Sequence, residues 1–189
     1  MPDILHLLTD RIDTPIGELA LLADHDGNLR AVDWIDHEPR THHFLRLHYG
    51  ANGYRIEPAT NPNNLSAALS RYFAGDLTAI DDLPVQTAGT PFQREVWRAL
   101  REIPCGTTTS YGELAARIGR PSAVRAVGLA NGANPIGVVV PCHRVIGANG
   151  TLTGYGGGLH RKRWLLHHES PARSLSFEAP DSIRISSGL

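Results

Sequence analysis

Cysteine is scarce: Cys105 and Cys142 are the two thiols in 189 residues. That scarcity excludes a disulfide framework, and the lack of any CxxC pair excludes the usual zinc spacing. In a reducing compartment each cysteine is then a buried spectator or a functional thiol. The chain also lacks an apolar run near the ~20 residues that a membrane-crossing helix needs. Its start, Met1-Pro2-Asp3-Ile4-Leu5, has neither the basic opening nor the long apolar stretch of a signal peptide, so a cytoplasmic protein is expected. Net charge is nearly absent as well, at -1.

What is present is an ordinary globular composition, 41% hydrophobic and 20% charged, in a length that fits one large domain or two small ones. The small net charge hides an asymmetry. Residues 1–88 carry 6 Lys/Arg against 13 Asp/Glu, whereas residues 89–170 carry 10 against 4. The second half therefore has the balance of a surface that faces a polyanion; chance placement on solvated faces explains the same numbers.

The first half reads as an α+β unit over residues 1–80. Short apolar or alternating runs at Ile4–Leu8, Glu18–Ala23 and Leu29–Trp34 predict strands, with Asp26-Gly27-Asn28 as a hairpin turn between the last two. A helix over Arg40–Tyr49, a strand at Tyr54–Glu57 and a helix over Asn63–Phe73 closed by Gly75 complete it. These elements imply a mainly antiparallel sheet covered on one face by helices. The six histidines of this half are scattered, and even His42-His43 lacks metal-site spacing. No chemistry is predicted there.

Residues 81–89 (DDLPVQTAG) read as a linker, and residues 90–169 as a second, mainly helical domain. Thr90-Pro91-Phe92-Gln93 is a capping box with proline at the first helical position, predicting a helix to about Arg101 with Phe92, Val96, Trp97 and Leu100 on one face. Ser110-Tyr111-Gly112-Glu113 is a second capping box and opens a helix through Ile118. Gly119-Arg120-Pro121-Ser122 then turns the chain into a small-residue helix, Ala123–Asn131. Two short helices joined this way have the outline of a helix-turn-helix. Ala126 and Gly128 would let the second helix approach a DNA groove closely, or equally pack against another helix.

Ile136-Gly137-Val138-Val139-Val140 predicts a buried strand that stops at Pro141-Cys142-His143-Arg144-Val145. A free thiol titrates near about 8.5, and an adjacent cation or base lowers it. Cys142, followed at once by His143 and Arg144, is thus a candidate nucleophile, against the alternative of a small core residue. Cys105 has no such neighbours and is assigned to packing.

The stretches NPIGVVVPCHRVIG, TGYGGG and KRWLLHHE, preceded in order by PFQREVW, IPCG, SYGELA and RAVGLANGANP, resemble the methylated-DNA–protein-cysteine methyltransferases, or O6-alkylguanine-DNA alkyltransferases. The TNP…L…YFAG segment is most similar to the constitutive bacterial Ogt type. The resemblance covers roughly residues 3–169; residues 170–189, rich in Ser, Pro and Gly, have no counterpart and are expected to be a mobile tail.

That resemblance implies a ribonuclease H-like N-terminal domain and a C-terminal helix-turn-helix or winged-helix DNA-binding unit. It implies irreversible, single-turnover transfer of an alkyl group from O6-alkylguanine, and O4-alkylthymine, in double-stranded DNA to Cys142. His143 would take the thiol proton through a bound water, Glu169 would orient His143, and Asn134 would hold the turn before the strand that carries the cysteine. The base would be flipped through the minor groove, with Arg125 filling the gap and Tyr111 pushing the phosphate and protonating N3 of the leaving guanine. Tyr155, Gly156 and Gly157 would close over the base, and the Val145 carbonyl would accept a hydrogen bond from it. Gly137 stands where other members carry a larger residue, which implies tolerance of bulkier alkyl groups. The donor is the damaged DNA itself, so no cofactor is expected, and no structural zinc. The protein is expected to be a monomer capable of cooperative assembly on DNA, with no membrane partner. A methyl-responsive regulator, a cysteine hydrolase using Cys142, His143 and Glu169, and an interaction domain are the rival readings. The glycine run at 154–158 taken alone would also suit a phosphate or S-adenosylmethionine loop, but it follows no nucleotide-type strand.

Overall fold

A computed structural model describes residues 4–171; most of the expected tail therefore lies outside the described residues. Three strands, β1 (Leu5–Thr14), β2 (Gly17–Asp24) and β3 (Leu29–Trp34), form an antiparallel meander, and β4 (Tyr54–Pro58) adds parallel to β1, giving the order β3-β2-β1-β4. The β2–β3 turn is the one the Asp-Gly-Asn sequence predicts, with Gly27 at φ +85° and the Asp24 carboxylate accepting from the Asn28 backbone N–H at 2.8 Å.

The sheet is covered on both faces rather than one. Leu7, Leu22, Ala31 and Leu45 form a small core under helix α1 (Glu38–Tyr49). Leu19, Leu21, Ala23, Val32 and Trp34 point the other way, into the main core with α2 (Leu65–Ala74). The reason is legible in β2 itself: Leu19-Ala20-Leu21-Leu22-Ala23 is apolar on both phases of the strand period, as a two-sided strand must be. Gly75, at φ +112°, ends α2 in the left-handed region that favours glycine.

The C-terminal half contains α3 (Pro91–Arg101), α4 (Tyr111–Arg117), α5 (Val124–Gly132) and α6 (Leu159–Glu169), with a two-residue parallel pair, β5 (Thr109–Ser110) against β6 (Val145–Ile146). Both predicted capping boxes are formed in full, at Thr90/Gln93 and at Ser110/Glu113. On α3, Val96, Trp97, Ala99 and Leu100 are buried, and α4 packs against α5. One core cluster runs through both halves, joining the strand residues above to Val96, Trp97, Leu114, Val127 and Leu165. The protein is thus α+β, with an N-terminal sheet and a helical C-terminal half. Among the described residues no helix is long and apolar enough to cross a membrane.

Residues 81–89, the expected linker, are docked: Leu29 N donates to Pro84 O, Gln86 N donates to Leu29 O, and Arg101 Nη2 donates to the Asp81 and Leu83 carbonyls. One further expectation is corrected. Residues 136–140 are not a strand. Ile136 bridges Val32 of β3, and the chain then coils tightly, with Val140 N donating to Ile136 O and Val139 N to Gly137 O. Val138, at the centre of that last turn, has φ +68°, a strained conformation for a β-branched residue. Apolarity in this run reports burial, not extension; its backbone groups are satisfied locally rather than by a ladder.

The two capping boxes place α3 and α4, so removing either cap loosens a helix start without touching the core. Thr90→Ala and Ser110→Ala are each expected to lower stability by about 1 kcal/mol, read as a reduced urea midpoint at unchanged m-value.

Candidate active site

Cys142 opens a 3-10 turn, Cys142–Arg144, immediately after the strained coil. An inverse γ-turn at Pro141 (φ -80°, ψ 63°) delivers it, with Cys142 N donating to Val140 O at 2.8 Å. Asn134 braces the whole approach. Its Oδ1 accepts from Ile136 N at 3.0 Å and its Nδ2 donates to Val140 O at 2.8 Å, so one buried amide spans both ends of the coil. Asn134 is expected from the sequence to hold a turn before a cysteine-bearing strand; its hydrogen bonds lie within a coil, because residues 136–140 do not form that strand.

The Cys142 side chain is buried, and burial pushes its thiol up. A hydrogen bond from Asn134 and the charges of Arg40 and Lys162 oppose this, while Asp33 adds to it. These cations are not the ones the sequence proposed. His143 and Arg144 both reach Glu169, away from the cavity that Cys142 lines.

Glu169, the last residue of α6, is the hub. Its Oε1 accepts from His143 Nε2 at 2.9 Å, from Arg144 Nη2 at 2.9 Å and from the Tyr72 hydroxyl at 2.7 Å; its Oε2 accepts from Arg144 Nε at 2.8 Å. Burial alone would raise this carboxyl, but the hydrogen bonds and charges of His143 and Arg144 outweigh it and hold it far below the usual carboxylate range. For His143 burial prevails over Glu169 and its pKa is lowered, so the ring is neutral near pH 7. An ionised Glu169 only accepts, which assigns the proton to His143 Nε2 and leaves Nδ1 as a basic lone pair. Nδ1 is buried and has no partner among the described residues.

In front of Cys142 lies a cavity of about 630 Å³. It gathers most of the predicted site: Cys142, Asn134 and Gly137 at the cysteine end, Tyr111 from α4, Arg125 and Gly128 from α5, and Tyr155, Gly156 and Gly157 from the loop before α6. Arg125 is exposed and makes no hydrogen bond or ion pair among the described residues. Leu129, beside it on the rim, is 72% exposed. Ala126 is exposed on α5 but outside the cavity lining, and Val145 is buried behind it. The Val145 carbonyl already accepts from Lys162 Nζ at 2.6 Å, which leaves one lone pair for a ligand. His143 and Glu169 sit behind the cysteine rather than in the wall.

Sequence reasoning missed the contribution of the N-terminal half. Asp33, Trp34 and Arg40 line the same cavity. Arg40 Nη2 donates to Asn134 O at 2.9 Å, and its Nε lies 3.5 Å from Asp33 Oδ2. The glycines of the loop are explained by these residues: a Cβ on Gly156 would collide with the Arg40 guanidinium, and one on Gly157 would sit 2.8 Å from the Trp34 ring. On α5, by contrast, a Cβ on Gly128 would meet only the Tyr111 ring at 3.8 Å, an ordinary contact. Lys162, fully buried in the KRW segment, was missed too; it also donates to Thr153 O at 2.7 Å. Its sole sequence signal is a lysine on the apolar face of α6. Among the described residues no group of three or more His, Cys, Asp or Glu side chains could share a metal ion.

Residues 91–171 match the family model described as 6-O-methylguanine DNA methyltransferase, DNA binding domain, and residues 7–87 match its ribonuclease-like domain. The chain is 58% identical over 166 residues to a methylated-DNA–protein-cysteine methyltransferase of Salmonella typhimurium, covering 88% of this chain and 97% of that one. A Mycobacterium tuberculosis protein of the same name is 49% identical over 164 residues, covering 84% and 89%. The solved structure of Mycobacterium tuberculosis OGT in complex with DNA superposes with a TM-score of 0.72 at 45% identity, covering 89% of this chain and 96% of that one. With both halves matched, the chain belongs to the 6-O-methylguanine DNA methyltransferase family.

Proposed function

We propose that the protein repairs double-stranded DNA by direct reversal, moving the alkyl group of O6-alkylguanine onto Cys142 once per molecule. The observation that carries this reading is the thiol at the floor of a cavity rimmed by α5, backed by the His143–Glu169 pair. The family relation supplies the reaction class.

Alkyl transfer from an oxygen needs a soft nucleophile in line with the C–O bond, and sulfur is that nucleophile. The Cys142 thiol passes its proton toward His143 Nδ1, through one water, and the resulting imidazolium is stabilised by Glu169. The Sγ–C bond forms as the C–O6 bond breaks. The C–O electron pair stays on guanine, which takes up a proton in place of the alkyl group. Tyr111 lies on the cavity wall where a hydroxyl can protonate N3 of the departing base. The thioether left behind is not cleaved by water, so turnover stops.

A stacked base cannot reach a thiol this deep, so the nucleotide must be everted. Arg125, exposed and without a hydrogen bond or ion pair among the described residues, would fill the vacated stack, with Ala126 and Gly128 letting α5 into the minor groove. Tyr155, Gly156 and Gly157 close the far side of the base, and the free lone pair of the Val145 carbonyl receives its amino group. The N-terminal unit (1–80), the docked connector (81–89) and the C-terminal unit (90–169) would be a ribonuclease H-like domain and a helix-turn-helix domain of winged type. The working form would be a cytoplasmic monomer that can assemble cooperatively along DNA, acting on O4-alkylthymine as well.

Incubating the protein with an O6-methylguanine duplex should add one methylene to the peptide containing Cys142, at one equivalent, by mass spectrometry. Cys142→Ser should add none, and an unmodified Cys142 in the wild type overturns the proposal.

The pH dependence follows from the two shifts. Cys142 is raised and stays a thiol near neutrality, while His143 is lowered and stays neutral. Deprotonation is the activating step for sulfur, and protonation of His143 removes the base. The single-turnover rate constant should therefore rise from pH 6 to pH 9, and Glu169→Gln should lower it at neutral pH by roughly 10² or more.

Gly137 lies between Trp34 and Tyr155; a Cβ there would be 3.9 Å from each and 3.1 Å from Val32 O. The space suits larger alkyl groups. Gly137 N also donates to Val32 O at 2.8 Å, a bond that Gly137→Pro would remove, so Gly137→Ser is the cleaner variant. It should lower the preference for O6-benzylguanine over methylated DNA several-fold, and an unchanged ratio rules out this assignment.

A further inference from the structure

Tyr72 lies 70 residues before the cysteine, in the half of the chain for which the sequence predicted no chemistry. It is fully buried in the last turn of α2 and takes hold of the end of α6 at two successive residues. Its hydroxyl donates to Glu169 Oε1 at 2.7 Å, and its carbonyl accepts from His168 Nε2 at 2.7 Å. Its ring also packs edge-on against His168, with centroids 5.1 Å apart.

The oxygen that Tyr72 touches is the one that receives His143. Resting on the reading of His143 and Glu169 as the proton relay, the geometry points to Tyr72 as a positioning residue for alkyl transfer, through which the N-terminal half sets the place and basicity of Glu169. Burial and the neighbouring Glu169 charge hold the phenol protonated, so it acts only as a donor. Each donor on Oε1 withdraws electron density from the carboxylate and weakens its pull on the His143 proton. With Tyr72 in place the imidazole stays neutral and ready to accept. Without it, Glu169 would bind the imidazolium more tightly and would lose one of the contacts that fix its rotamer.

The other charged or titratable groups around this pair are Arg144 from the cysteine turn, Cys105 from the loop after α3, Lys162 and His168 from α6, and Tyr155 against the His143 ring. Of these, Arg144 bonds Glu169 directly, and it also donates to Ile103 O at 2.6 Å, which ties it in place. Tyr72 is the donor to Glu169 that comes from outside the C-terminal half.

The test uses the full chain and compares wild type, Tyr72→Phe and Phe73→Leu. Phe73 packs on Trp164 and His168 across the same α2–α6 contact but has no group on Glu169. Single-turnover methyl transfer from an O6-methylguanine duplex is followed from pH 5 to pH 9, alongside thermal unfolding. Tyr72→Phe should slow transfer at neutral pH by roughly tenfold, the kinetic equivalent of one hydrogen bond to a charged group. It should also move the acid limb of the profile to higher pH. Phe73→Leu should lower the melting temperature and leave the limb where it is. An unchanged profile in Tyr72→Phe, or the same displacement in both variants, overturns the inference. A wild type that fails to alkylate Cys142 overturns the relay itself, and that failure is visible before any variant is made.

Discussion

A single carboxylate organises the reactive end of this molecule. Glu169 is ionised inside the protein, and leaving it there without partners would cost several kcal/mol. Four hydrogen bonds, from His143, Tyr72 and the Nε/Nη2 edge of Arg144, offset that cost. The donors come from two pieces of structure, the cysteine turn and α2, and Arg144 also reaches Ile103 O. The charge therefore joins α6 to both, and the imidazole next to Cys142 is oriented as a by-product of satisfying it.

The thiol itself is treated differently. It is buried and kept protonated at rest, and its anion is favoured by Arg40 from α1 and Lys162 from α6. A resting thiol is less exposed to adventitious electrophiles and oxidants, since the thiolate is the reactive form. The two halves of the chain are thus joined at two points of chemical consequence, Arg40 in front of the sulfur and Tyr72 behind the histidine. The split in net charge between the halves says nothing of this, because the residues that cross over are individual side chains rather than patches.

Local patterns were the most legible part of the sequence. Both capping boxes, the Asp-Gly-Asn turn and β3 appear where the residue types place them, because each depends on contacts within a few positions. The Cys142, His143 and Glu169 assignment came from a motif match, and the structure brings His143 and Glu169 together across 26 positions. What could not be read were relations made by tertiary packing. A run of valines reads as a strand, yet Asn134 and the γ-turns coil it into a platform. Tandem glycines read as a ligand loop, yet Arg40 and Trp34 occupy the space a side chain would need. Asp33, Trp34 and Arg40 carry no motif, and only the approach of β3 and α1 to the cysteine reveals them.

The short parallel pair of β5 and β6 bolts Thr109 to Val145 and Ser110 to Ile146. Tyr111 starts its helix one residue beyond that bolt, and Cys142 ends its coil three residues before it. Helix α4 and the sulfur are therefore tied to one another through a short run of paired backbone. In the proposed reaction, the nucleotide has to be brought to an acceptor whose backbone is fastened to the wall that receives it.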